Sequence, residues 1–116
     1  QVKRGEDVTV YTGDCYRNVM HVDDVCRAMR MVLDKGEINS IYHIGASSSV
    51  RMIDLIEHAK VRTGSNSPIN LVPVPRFHQI VQVPDFWMDT TKLRSLGFVP
   101  DMDAYQAVDR VLANLN

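Results

Sequence analysis

Tyr11-Thr-Gly-Asp14-Cys-Tyr-Arg17-Asn-Val-Met-His21-Val-Asp-Asp24-Val-Cys-Arg-Ala-Met-Arg-Met-Val-Leu-Asp-Lys35 is the stretch that decides how this chain is read. It predicts a turn, a short extended piece over Asn18–Val22 and then a strongly amphipathic helix. Asp23 or Asp24 is expected to cap that helix by accepting from its first free N–H groups. Val22, Val25, Cys26, Met29, Val32 and Leu33 recur at i, i+3, i+4 spacing and form one apolar face. Arg27, Arg30 and Asp34 lie off that stripe. Gly36 falls where a left-handed residue ends a helix, and Lys35 suits the negative end of the dipole.

Working outward, Gln1–Asp7 reads as the tail of a helix ending near Gly5, and Val8-Thr-Val-Tyr11 as a short strand. Ile41-Tyr-His-Ile44 reads as a second strand. The small residues Gly45–Ser49 then lead into a helix over about Val50–Arg62, with Met52, Leu55, Ile56 and Ala59 facing inward and Gly64 as its stop. Ile69–Pro75 is extended, and its prolines confine it to a sheet edge. Arg76–Pro84 is expected to be a long loop, of the kind that is often functional. Asp85–Met88 is expected to pack inward. Asp89 caps a short helix through Leu96. Asp103 with Gln106 forms a capping box for the last helix, whose buried face is Ala104, Val108, Val111 and Leu112. Strand, small-residue loop and helix make an α/β unit. The expected fold class is α/β, a small mixed sheet with about four helices in one domain over residues 1–116.

Composition narrows the function classes. Of 116 residues, 45% are hydrophobic and 23% charged, ordinary values for a globular domain. The net charge of −1 gives no broad field for nucleic acid or an acidic membrane surface. No apolar run approaches the ~20 residues that span a bilayer. Cys15 and Cys26 are too few for a zinc site, and a reduced, cytoplasmic protein is expected. Gln1 stands where a start Met would be, which raises the expectation of sequence upstream.

Four motifs, in order, resemble one family. Tyr11-Thr-Gly-Asp14 with Arg17-Asn18-Val-Met-His21-Val-Asp-Asp24-Val resembles the substrate-lobe motif of extended short-chain dehydrogenases acting on nucleotide-sugars, the NAD-dependent epimerase/dehydratase family. Ile41-Tyr-His-Ile-Gly45 resembles their Tyr-Asn-Ile-Gly strand. Asp89-Thr-Thr-Lys92-Leu93 through Leu96-Gly97-Phe98-Val-Pro100 resembles their Asp-x-x-Lys-Leu element, and the last helix is similar to the one that closes these proteins. Cys15 replaces a glycine of the family turn, Asn18 replaces an Asp, and the turn is about two residues short. The spacings that carry a diphosphate-binding Arg and a ribose-binding Asp elsewhere fall on Gln79 and Val83.

The resemblance implies the C-terminal substrate lobe without the Rossmann domain. No glycine-rich dinucleotide turn occurs here. None of Tyr11, Tyr16, Tyr42 or Tyr105 has Lys four residues on. The implied chain is not catalytic alone and holds no cofactor. NAD(P) is implied for the full-length enzyme, and the implied partners are a nucleotide-diphosphate sugar and the missing N-terminal Rossmann domain. The alternatives are a free-standing nucleotide-sugar-binding or protein-interaction module and a remnant with no ligand.

The resemblance gives Arg17 a diphosphate contact, which suits a guanidinium; the plainer reading pairs it with Asp14 or Asp24. Arg76 is a candidate for phosphate or ribose, or a solvated loop Arg. His78 and Gln79 are candidates for the sugar pocket. His21 and His43 read as hydrogen-bonded structural histidines. Asp23 and Asp24 read as caps and not as an acid–base pair, Lys92 as solvated, and Phe86 and Trp87 as core.

Overall fold

The computed structural model describes residues 1–13 and 15–115, so Asp14 of the expected turn lies outside the described residues. A 3-10 turn over Val2–Arg4 closes at Gly5. The strands are β1 (Val8–Tyr11), β2 (Tyr16–Arg17), β3 (Val50–Arg51) and β4 (Ile69–Val72). The helices are α1 (Val22–Lys35), α2 (Met52–Thr63), α3 (Arg76–Val81), α4 (Thr91–Ser95) and α5 (Ala104–Asn114). The α/β class holds. The expected single sheet is instead two ribbons: β1 runs parallel to β4, and β2 antiparallel to β3. The described residues hold five α-helices, because α3 occupies the segment expected to be loop.

Helix α1 forms where the sequence places it, but with a different face inward. Asp24 and Ala28 are its buried residues. Ala28 packs with Leu93 and Phe98 in the core, against Met20, Met31, Val32 and Ile44. The expected stripe is largely open: Val22, Met29 and Leu33 are exposed, Leu33 by 86%, and Cys26 is exposed too. A carboxylate disguised the true core face. Asp24 is 1% exposed yet fully partnered. It accepts from the backbone N–H of Asp101 (3.0 Å) and of Met102 (3.1 Å). Arg27 Nη2 also donates to it at 2.8 Å, and the same guanidinium sits 4.7 Å over the Phe98 ring. Neither Asp caps the helix. His21 does, its Nδ1 accepting from Asp23 N at 3.2 Å. Gly36 is not left-handed (φ −68). A glycine is needed there because a Cβ would stand 2.4 Å from the Val32 carbonyl oxygen.

Residues 41–44, expected to be a strand, form none and pair with no strand among the described residues. The backbone alternates, with Ile44 against the core and Ile41 80% exposed. The segment ends in a tight junction: Asn18 accepts from Ala46 N at 2.6 Å and donates to Ala46 O at 2.9 Å. A Cβ on Gly45 would lie 2.5 Å from Asn18 Oδ1 and 2.8 Å from Met88 Cβ.

Elsewhere local signals hold. Helix α2 ends at left-handed Gly64, although Arg51, the residue just before the helix, makes no side-chain cap. Asp89 Oδ1 accepts from Thr91 N at the start of α4 (3.0 Å). Helix α5 carries the full Asp103–Gln106 capping box. Its buried residues are Ala104 and Ala107, whereas Val111 is half-exposed. Asp109 on α5 meets His58 (2.8 Å) and Arg62 (3.0 Å) of α2.

The molecule is a slab, 48 × 37 × 17 Å, with a radius of gyration of 16.6 Å. A compact domain of this length has about 13 Å. Its accessible surface is 8057 Å², against about 6,400 Å² for a compact monomer of this mass.

Burial alone would raise the Asp24 carboxyl, but the Arg27 hydrogen bond and the two backbone N–H groups outweigh it and hold it below the ordinary 3.8. Its stabilisation is therefore complete above about pH 4 and fades as pH falls through the folded value. Asp24→Asn should lower unfolding free energy at pH 7 by about 3 kcal/mol. In urea titrations that difference should shrink toward pH 2; a pH-independent difference contradicts this role. Gly45→Ala must displace Asn18 or Met88 and should cost about 2 kcal/mol in the same titration.

Candidate functional site

Strand β2 is held on both sides. β3 pairs one edge. On the other, Tyr16 N donates to Pro84 O at 3.0 Å, and Phe86 N donates to Tyr16 O at 3.2 Å. Arg17 ends this strand. Its Nη1 donates to the carbonyls of Tyr16 (2.8 Å), Val83 (2.8 Å) and Pro84 (3.3 Å). Among the described residues, its Nη2 and Nε take no partner. The expected pair of Arg17 with Asp24 is not made, since Asp24 is occupied by Arg27; the other expected partner, Asp14, lies outside the described residues. What remains is the planar edge of a guanidinium that meets carboxylate or phosphate bidentately.

Arg17 lines a recess of about 280 Å³ with Tyr11, His78, Val81 and Gln82. The His78 ring stands edge-on to Tyr11, centroids 5.4 Å apart. A second recess of about 280 Å³ also has Tyr11 in its wall and is lined in part by Val10, Cys15, Arg51, Met52 and Leu71. Arg51 there is forked onto Asp54, at 2.9 and 2.8 Å. Tyr11 thus forms a wall common to both recesses. Together they offer aromatic surface, a cationic fork and an imidazole, a set that suits a flat ring joined to an anion.

Of the four residues picked from the sequence, Arg17 and His78 come together here. Gln79 is turned away, its Nε2 donating to Val74 O at 2.6 Å. Arg76 opens α3, exposed and outside the lining of this recess. Tyr11 and Gln82 were not picked. Once α3 is a helix, His78, Val81 and Gln82 share one face at i, i+3, i+4, and that spacing was the available signal.

The remaining candidates have structural places. His21 caps α1. His43 is exposed on the unpaired segment. Lys92 Nζ sits 4.7 Å over the Tyr42 ring. Phe86 and Trp87 are not core: Trp87 is 67% exposed, because the 84–88 segment lies along β2 at the edge of the slab. Among the described residues no group of three or more His, Cys, Asp or Glu could hold a metal ion, and no helix is long and apolar enough to cross a membrane. A dinucleotide has no cradle at Gly45, the one glycine that joins the 41–44 segment to a small-residue loop, since its Cα surface is filled by Asn18 and Met88.

Residues 1–45 match the model of the NAD dependent epimerase/dehydratase family. The dTDP-glucose 4,6-dehydratase of Streptomyces niveus is 34% identical over 102 residues, covering 85% of this chain and 29% of that protein. The UDP-glucose 4-epimerase of Thermotoga maritima, solved with UDP-glucose, superposes with a TM-score of 0.82 at 26% identity, over 99% of this chain and 38% of that one. The dTDP-glucose 4,6-dehydratase of Bacillus anthracis, solved with NAD, gives 0.81 at 20% identity, over 95% of this chain and 34% of that one. The chain therefore spans about a third of the length of the relatives it matches. A match that runs through β1, β2, α1 and the 41–45 segment, with superposition over nearly the whole fold, makes this chain similar to the NAD dependent epimerase/dehydratase family.

Proposed function

We propose that this chain is the C-terminal, substrate-binding part of an NAD(P)-dependent nucleotide-sugar epimerase or dehydratase, and that it is not catalytic alone. The observation that carries this is Arg17. Three backbone carbonyls fix one side of its guanidinium, and the other side, which takes no partner among the described residues, lies beside the recess that holds His78. Arg17 binds the diphosphate; Tyr11 offers its ring to the base, and His78 reaches the sugar or the second phosphate. Arg76 and Gln79 stand at the rim, on the solvent side of α3.

The open face supports the partial-chain reading. Val22, Cys26, Met29 and Leu33 form an uncovered apolar stripe on α1. The 41–44 backbone has no ladder partner among the described residues. The chain exposes about 1,600 Å² more than a compact monomer of its mass, about twice the ~800 Å² that one partner buries in a standard protein–protein interface. The N-terminal two thirds of such an enzyme covers this face: its parallel sheet supplies the missing edge, and its glycine-rich turn holds NAD(P). Supplying hydride chemistry is the cofactor's part; this lobe binds and orients the nucleotide-sugar.

Calorimetric titration of the purified chain with UDP, dTDP and their glucose esters tests the site. Binding is expected, and Arg17→Ala should weaken it at least about tenfold, the loss of one charged hydrogen bond. Full affinity in the variant, or no binding by the wild type, contradicts the assignment. Sedimentation velocity tests the open face. The isolated chain should self-associate through the α1 stripe, and Met29→Glu with Leu33→Glu should leave it monomeric; a wild-type monomer at high concentration contradicts the partial-chain reading.

A further inference from the structure

Arg17 owes its orientation to a segment 66 residues further on. The carbonyls of Val83 and Pro84 hold its Nη1. These two residues directly follow Gln82, the C-terminal cap residue of α3. Gln82 is itself tied to the strand that carries Arg17: its Nε2 donates to the Cys15 thiol, two residues before Arg17. From there residues 82–86 run along residues 15–17, joined by the Tyr16–Pro84 and Tyr16–Phe86 backbone bonds. The Gln82–Cys15 contact is the first link of this series and, among the described residues, the only one made by two side chains. It is made by the residue that ends α3 and immediately precedes the two carbonyls.

We propose that Gln82 is a positioning residue. Through Cys15 it sets the frame in which Arg17 presents its Nε–Nη2 edge to a diphosphate. This rests on the diphosphate reading of the recess. Without the link, the Val83 and Pro84 carbonyls drift, Nη1 loses its fixed acceptors, and the side chain samples rotamers that do not face the recess. A thiol is a weak acceptor, so the effect is modest and acts on orientation.

The test is a double-mutant cycle read by UDP titration of the whole chain, with thermal melting as the folding control. Gln82→Ala and Cys15→Ala should each weaken UDP binding about three- to tenfold, with melting temperature nearly unchanged. The double variant should be no weaker than either single one. Cys15→Ser keeps an acceptor and should bind as the wild type does. Additive losses in the cycle would mean that Gln82 touches the ligand directly and would overturn the proposal. So would unchanged affinity in Gln82→Ala, or a Cys15→Ser variant as weak as Cys15→Ala. A wild type that binds no UDP fails differently: it removes the diphosphate reading itself and the positioning role with it.

Discussion

One buried carboxylate joins the two ends of this fold. Asp24 sits on the first turns of α1, and its partners lie on the loop before α5, 77 residues away. An isolated buried carboxylate would be strongly unfavourable. Here two backbone N–H groups and a guanidinium satisfy it, and the same guanidinium covers Phe98. Desolvation, hydrogen bonding and packing therefore agree on a single docking of α1. The buried cluster beneath is small, with Ala28, Leu93 and Phe98 at its centre, so a polar clamp carries much of the specificity that a large core supplies in other domains. It also fixes which face of α1 looks inward and which is left for something else.

That second face gives the molecule its shape. A slab 17 Å thick has little more than one layer of secondary structure to hide its apolar side chains. Stable α/β folds close this problem with a second layer. The open stripe of α1 and the unpaired 41–44 segment lie on consecutive pieces of chain. Among the described residues they leave backbone without a ladder and apolar side chains uncovered, two features that a parallel sheet with a covering helix layer can use at its edge.

The sequence was most legible where the partners are close along the chain. The capping box of α5 needs residues three apart, and the Gly64 stop of α2 needs only its own backbone. The span of α1 was legible for the same reason. Its buried face was not, because an Asp that is buried by partners 77 residues away looks like a surface residue in any periodicity count. The 41–44 segment was expected to be a strand, but among the described residues it joins no ladder, because β-branched residues favour a strand without supplying its partner. Helix α3 was hidden by Ile80, Val81 and Val83, which favour strand. That miss concealed Gln82, while Arg17 was legible through its motif. Tyr11 was quoted as a motif residue, but its part as a wall common to two recesses appears only once β1 and α3 are placed together.

The central claim is that the 41–44 segment is an edge awaiting a partner supplied by the rest of a nucleotide-sugar enzyme. Amide hydrogen exchange of residues 41–45 tests it most directly, measured in this chain alone and in the product of the same reading frame extended upstream to the length of the relatives. The account predicts rapid exchange in the isolated chain and strong protection in the extended one, as these N–H groups enter a ladder. Strong protection in the isolated chain, or none in either, would contradict it.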